Sequence, residues 1–164
     1  MFVEYLEAPL GLLRLTANET ALCEIALAEK REESAPNTVT QAAVLQLLEY
    51  FSKKREDFSV QLAPQGTPFQ KRVWAALASI PYGKVVTYGQ LAAAAGNAKA
   101  VRAAASAVGK NPLPIVLPCH RVVAASGLGG FAWGLTAKRT LLQLEGVEIP
   151  KKSAFPENFL FTFP

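Results

Sequence analysis

The sequence contains one histidine, His120, one methionine and two cysteines, Cys23 and Cys119, in 164 residues. Two cysteines make no disulfide framework, and with a single histidine they leave a structural zinc site short of its usual ligands. No apolar run reaches the roughly 20 residues of a membrane-spanning helix, and the N-terminus lacks the basic-then-apolar pattern of a secretory leader. A cytoplasmic chain with reduced thiols is therefore expected, or a nuclear one in a eukaryotic cell. Phosphate-loop and dinucleotide fingerprints are also absent, so neither a cofactor nor a metal is expected. What remains is an ordinary globular composition, 51% apolar, with 11 Gly and 11 Pro as punctuation. Its length suits one large or two small domains.

The net charge of +4 is unevenly spread. Residues 1–63 carry 6 Lys/Arg and 10 Asp/Glu, whereas residues 64–150 carry 9 Lys/Arg and only Glu145 and Glu148. A basic half joined to an acidic half suggests that the basic one faces a polyanion.

The first half reads as sheet plus one helix. Phe2 to Leu6, Leu12 to Thr16 and Leu22 to Leu27 are short apolar-rich runs, separated by Pro9-Leu10-Gly11 and Asn18-Glu19. Val44, Leu47, Leu48 and Phe51 recur at helical spacing within 41–51 and predict an amphipathic helix. Phe58 to Leu62 alternates and predicts a further strand. Cys23 reads as a packed strand residue, and nothing in residues 1–63 carries chemistry. This half is read as a scaffold.

Pro64-Gln65-Gly66 reads as the linker. Thr67-Pro68-Phe69-Gln70 then combines a capping Thr, a Pro at the first helical position and a Gln at the third, a helix start. Val73, Trp74, Leu77 and Ile80 supply its buried stripe. A second capping box, Thr87 with Gln90, opens a helix that stops at Gly96, and Asn97 is placed to cap another over 98–108. Two short helices around a Gly-containing turn form a helix-turn-helix. The second helix is rich in alanine, with Lys99 and Arg102 as its only charges. Two explanations fit that composition: helix propensity with close packing, or a low-bulk face laid against DNA. Lacking long polar groups to read base edges, such a helix suits sequence-tolerant contact.

Asn111 to Val123 reads Asn-Pro-Leu-Pro-Ile-Val-Leu-Pro-Cys-His-Arg-Val-Val. Three prolines exclude a helix interior and predict an extended apolar segment that delivers Cys119 to a rigid position. A lone cysteine is most simply a small buried hydrophobe. A nucleophilic one needs help, because a thiol with a pKa near ~8.5 is only a few per cent ionised at neutral pH. His120 and Arg121 are candidates for that help, although neighbours on a strand point to opposite faces. A Cys119–His120 contact thus calls for a bend after Pro118 or a bridging water, and the water is the favoured route.

Pro118-Cys119-His120-Arg121-Val122 resembles the active-site signature of the O6-alkylguanine-DNA alkyltransferases, proteins of one-step direct-reversal DNA repair. The resemblance runs from about Thr67 to Gly146 and includes Val85-Val86-Thr87-Tyr88-Gly89-Gln90-Leu91-Ala92, Arg102 and Asn111-Pro112. It implies an α+β fold in two domains. Residues 1–63 would form a ribonuclease H-like scaffold of small sheet plus helix, and 64–150 a winged helix-turn-helix alkyltransferase domain. Residues 151–164 would form a tail across an apolar groove.

The resemblance also implies the roles of individual residues. Cys119 would accept the alkyl group, His120 would take its proton, Glu145 would orient the histidine, and Tyr88 would hydrogen-bond guanine N3. Asn111 would position the active-site run. Thr87, Lys99, Ala100, Arg102 and Ser106 would meet DNA, the Arg filling the gap left by a rotated nucleotide. Val122, Phe131, Ala132, Trp133 and Lys138 would line the substrate pocket. Ala132 stands where a Ser is common and Trp133 where some relatives have Gly, so the range of alkyl groups stays open. The zinc ligands that some members carry in the N-terminal part are missing. The implied substrate is double-stranded DNA bearing O6-alkylguanine, with O4-alkylthymine a second candidate. The implied reaction is single-turnover, by a monomer.

Two other classes compete. A cysteine hydrolase would need only Cys and His, but it leaves the alanine-rich helix and the basic half unused. A DNA-binding regulator would explain the helix-turn-helix but not the Cys-His-Arg run.

Overall fold

The computed structural model describes residues 1–151 and 153–164. The chain forms two compact units. One comprises Met1–Gln65 with Pro112–Val116, the other Gly66–Asn111 with Leu117–Pro164.

In the first unit, β1 (Phe2–Ala8), β2 (Gly11–Ala17) and β3 (Leu22–Leu27) form an antiparallel meander. Alternation decides its faces: Leu13, Leu15 and Ala17 are buried while Leu12, Arg14 and Thr16 are not. Helix α1 (Thr38–Phe51) starts at a capping box between Asn37 and Thr40. Its buried face is Ala43, Gln46, Leu47 and Tyr50, with Leu48 exposed, so the helix is turned from the expected stripe. The reason is polar satisfaction. Gln46 donates to Ser59 Oγ and accepts from Ser59 N–H, which lets an amide replace an apolar side chain inside. The expected strand over 58–62 reduces to one bridge between Leu22 and Leu62, since the partner strand begins at Leu22 and residues 18–21 before it form a turn closed by Asn18. The Pro112 carbonyl caps another part of the β3 edge by accepting from Ile25 N–H at 2.8 Å.

In the second unit, α2 (Pro68–Leu77) and α3 (Tyr88–Ala94) both begin with the expected Thr–Gln capping boxes. Val73, Trp74, Leu77 and Ile80 are buried as their spacing predicts, and the Trp74 indole donates to the Ala107 carbonyl at 2.8 Å. Helix α4 (Val101–Gly109) starts three residues later than expected. Asn97 does not cap it. Its side chain accepts from Lys99 N–H in a local turn, and Ala100 N–H closes on the Asn97 carbonyl.

Two short strands, β4 (Val86–Thr87) and β5 (Val122–Val123), pair in parallel at the centre of this unit. Helix α5 (Leu135–Leu144) packs beside them, with Val85, Val123, Leu142, Val147 and Phe155 forming an apolar cluster. The tail belongs to this unit. Phe159 packs on that cluster, and Val85 exchanges backbone hydrogen bonds with Phe159 and Phe161. No helix of the described residues is long and apolar enough to cross a membrane.

Candidate functional site

The proline-framed run does not stay extended. It turns over 114–116, with Ile115 buried at φ +75°, a left-handed conformation rare for a β-branched residue. Asn111 Nδ2 closes the neck of this turn on the Leu117 carbonyl at 2.8 Å. Cys119–Arg121 then forms one turn of 3₁₀ helix, with Arg121 N–H bonded to the Pro118 carbonyl at 3.0 Å. The bend after Pro118 is therefore present. Cys119 and His120 lie on a helical turn, where successive side chains diverge by about 120° rather than pointing oppositely.

Cys119 is 2% exposed. Burial pushes its thiol up to about 11, against the lesser opposing pull of the Asn111 amide and the Lys138 charge. Asn111 thus both closes the turn and reaches the sulfur, a contact that the sequence did not disclose.

His120 is fully buried, and its Nε2 lies 2.7 Å from Glu145 Oε2. Burial would raise the Glu145 carboxyl, but His120 and Arg121 together outweigh it and hold the group well below the usual carboxylate range. A carboxylate only accepts, so the ring proton sits on Nε2. Burial also lowers the His120 pKa, so the imidazole is neutral at pH 7. Its Nδ1 carries a lone pair, is buried, and has no hydrogen-bond partner among the described residues. No direct bond therefore joins it to the Cys119 sulfur.

Glu145 is the hub of the site. Arg121 donates from Nε to Oε1 at 2.8 Å and from Nη2 to Oε2 at 2.9 Å, while its Nη1 holds the Ile80 carbonyl. Gly83 N–H adds a bond to Oε1 at 3.0 Å. Gly83 has φ +77°, and a Cβ there would lie 3.2 Å from the Glu145 carbonyl oxygen, so the position needs glycine. Arg121 read from sequence as a nearby charge; its partner lies 24 residues away, a distance that no local pattern announces.

A cavity of about 230 Å³ is lined by Tyr88, Ala105, Val108, Gly109, Gly130, Phe131 and Ala132. It is smaller than pockets for drug-sized ligands, which run from about 300 Å³ upward. The Tyr88 hydroxyl donates to the Gly130 carbonyl at 3.4 Å. Its pKa is raised chiefly by burial, and Cys119 lies close enough to add to the effect. Phe131 and Ala132 line this cavity. Trp133 does not line it but meets Phe131 edge-to-face at 6.2 Å. Val122 is buried on β5, and Lys138 is buried with its ammonium on the carbonyls of Val122, Leu128 and Gly130. Neither belongs to the cavity wall. Ala105, Val108 and Gly109 do, and the small residues of α4 were the only sequence sign of it.

Arg102 and Ser106 share the exposed face of α4, and Lys99 is exposed just before it. Ala100 is half-buried at the N-cap. The Thr87 hydroxyl accepts from Gln90 N–H, so its cap role is occupied from within.

The profile described as "6-O-methylguanine DNA methyltransferase, DNA binding domain" matches residues 68–147, and its "ribonuclease-like domain" counterpart matches residues 1–64. The chain belongs to the 6-O-methylguanine DNA methyltransferase family. Within it, the methylated-DNA–protein-cysteine methyltransferase of Methanosarcina acetivorans is 42% identical over 154 residues, spanning 89% of this chain and 99% of that one. That of Haemophilus influenzae is 40% identical over 158 residues, 90% and 87% of the two chains. The crystal structure of Mycobacterium tuberculosis OGT in complex with DNA superposes with a TM-score of 0.81 at 40% identity, covering 88% of this chain and 92% of that one. The α+β two-domain architecture expected from the sequence is thus the 6-O-methylguanine DNA methyltransferase architecture.

Proposed function

We propose that this protein repairs DNA by moving an alkyl group from guanine O6 to Cys119, once per molecule. The observation that carries this reading is the neutral His120 held at 2.7 Å by a fixed carboxylate, with its free Nδ1 one residue from the buried thiol. Family membership and a DNA-bound relative support the choice of substrate.

With its pKa near 11, the thiol is ionised in only about one molecule in 10⁴ at pH 7. Ionisation therefore has to be coupled to attack. The thiol proton passes through a water to His120 Nδ1, and the imidazolium so formed is balanced by Glu145. Sulfur then bonds to the alkyl carbon as the carbon–O6 bond breaks, leaving its electron pair on guanine. A hydrogen bond from Tyr88 to guanine N3 stabilises that leaving group, as a preorganised donor should. The thioether has no route back, so the protein acts once.

Inside a duplex the O6 atom cannot reach a buried thiol. The nucleotide rotates out, at an unstacking cost of a few kcal/mol that phosphate contacts offset. The low-bulk face of α4 approaches the minor groove, with Arg102 filling the vacated stack. Residues 1–63 serve as scaffold, and 64–150 carry DNA binding and transfer. O4-alkylthymine presents a similar exocyclic ether and is a second substrate to test.

The test is incubation with duplex DNA carrying one O6-methylguanine, followed by intact-protein mass and peptide mapping. A gain of one methyl on Cys119 is expected. An unchanged mass, or release of a hydrolysed product with turnover, overturns the reading.

A further inference from the structure

Lys138 is buried without a carboxylate partner among the described residues. An ammonium has three protons and no acceptor, and here each proton meets a carbonyl. The bonds are 2.6 Å to Val122, 2.6 Å to Leu128 and 2.8 Å to Gly130. Val122 lies on β5, directly after the Cys119 turn, while Leu128 and Gly130 lie on the loop that leads to the cavity wall. One side chain thus ties that loop to the strand.

The Gly130 carbonyl has a second client, the Tyr88 hydroxyl at 3.4 Å. Of its two donors Lys138 is the closer, so the carbonyl leaves Tyr88 only lightly held. Gly129 sits between them at φ +73°, and a Cβ there would come within 3.1 Å of Tyr88 Cε2. The ring therefore packs close against the loop backbone, and its hydroxyl is bonded to that same loop.

We propose that Lys138 is a positioning residue for alkyl transfer: by fixing the carbonyls of Leu128 and Gly130 to that of Val122, it holds the loop that places the Tyr88 hydroxyl. This rests on the proposed function, in which Tyr88 must meet the leaving base. Lys138 touches no substrate in this scheme. A misplacement of the donor by about 1 Å is enough to cost on the order of 10²-fold in rate. Lys138 also lies within electrostatic range of Cys119 and His120, so a direct effect on the thiol is the rival role that the test must separate.

A double-mutant cycle separates them, read as the single-turnover rate constant at saturating O6-methylguanine duplex. Lys138→Met alone should slow transfer at least about tenfold while the half-saturating DNA concentration changes by less than about twofold. In the Tyr88→Phe background the same substitution should cost less than about threefold, because the group that it positions is already gone. Equal losses in both backgrounds, as a thiol effect or a general loosening would give, overturn the proposal. So does a Lys138→Met protein as fast as the parent. If that variant fails to fold, Lys138→Arg, which keeps the cation and its donors, goes through the same cycle with the same criterion. A parent protein that transfers nothing would instead overturn the proposed function, a failure distinct from additivity.

Discussion

Arg121 and His120 share one oxygen: Glu145 Oε2 accepts from Arg121 Nη2 at 2.9 Å and from His120 Nε2 at 2.7 Å. Two donors on one atom, with Arg121 Nε and Gly83 N–H on the other oxygen, keep the carboxylate ionised although it is buried. In the proposed transfer Glu145 therefore never takes the proton: the relay ends on His120, and the carboxylate orients and neutralises it, the division of labour of a nucleophile–base–orienter set.

If Cys119 is the acceptor, Cys119→Ser should bind methylated duplex with unchanged affinity and transfer nothing, because a hydroxyl ionises far less readily than a thiol. Cys23, a strand residue of the first unit, should stay unlabelled. Peptide mapping after reaction decides this, and label on Cys23 would sink the assignment.

The pH profile should follow the thiol. His120→Ala should slow transfer about 10²- to 10⁴-fold at pH 7, the usual worth of a general base. Burial raises the thiol pKa to about 11, so unaided ionisation grows with every pH unit toward that value rather than levelling near ~8.5. The deficit should accordingly still be shrinking between pH 9 and 10. A deficit that stops shrinking at pH 8.5 would mean that the thiol ionises as in a free peptide.

Arg102 is exposed on α4 and should matter only where a nucleotide must leave a stack. Arg102→Ala should impair transfer from duplex DNA at least about tenfold more than transfer from free O6-alkylguanine, which needs no rotation. Equal losses on both substrates would remove it from that role. Raising salt should weaken duplex binding steeply and leave the free-base reaction almost unchanged.

Acid should unfold the protein partly through Glu145. Its folded pKa is held below the unfolded value of about 4.3, so the unfolded chain binds more protons in acid. The stability this contributes is complete above that range and is lost as pH falls through it. The urea midpoint should therefore drop more between pH 6 and pH 3 for the parent than for Glu145→Gln. An equal drop in both would place the acid sensitivity elsewhere.

Much of this was legible in the sequence because it depends on local rules. The capping boxes at Thr67 and Thr87, the Val73–Trp74–Leu77–Ile80 stripe and the strand runs of the first unit are short-range patterns, and they fold as their spacing dictates. The misses share one cause, a side chain that finds a partner elsewhere. Gln46 turns α1 by pairing with Ser59, Asn97 bonds to its own turn, and the proline run folds back because Asn111 reaches Leu117. The residue types of the site were readable. The Arg121–Glu145 clamp and the carbonyl cage of Lys138 were not, since both join residues that are distant in sequence or bonded to backbone.

The near-complete burial of Cys119 has a bearing on the protein's working life. If Cys119 is consumed by one reaction, as proposed, it has no second chance when a peroxide or a stray electrophile reaches it first. A thiol that is 2% exposed and protonated at rest is a poor target for either, since oxidation and adventitious alkylation both need an accessible thiolate. The burial that makes ionisation difficult thereby holds the molecule in reserve until a substrate occupies the site.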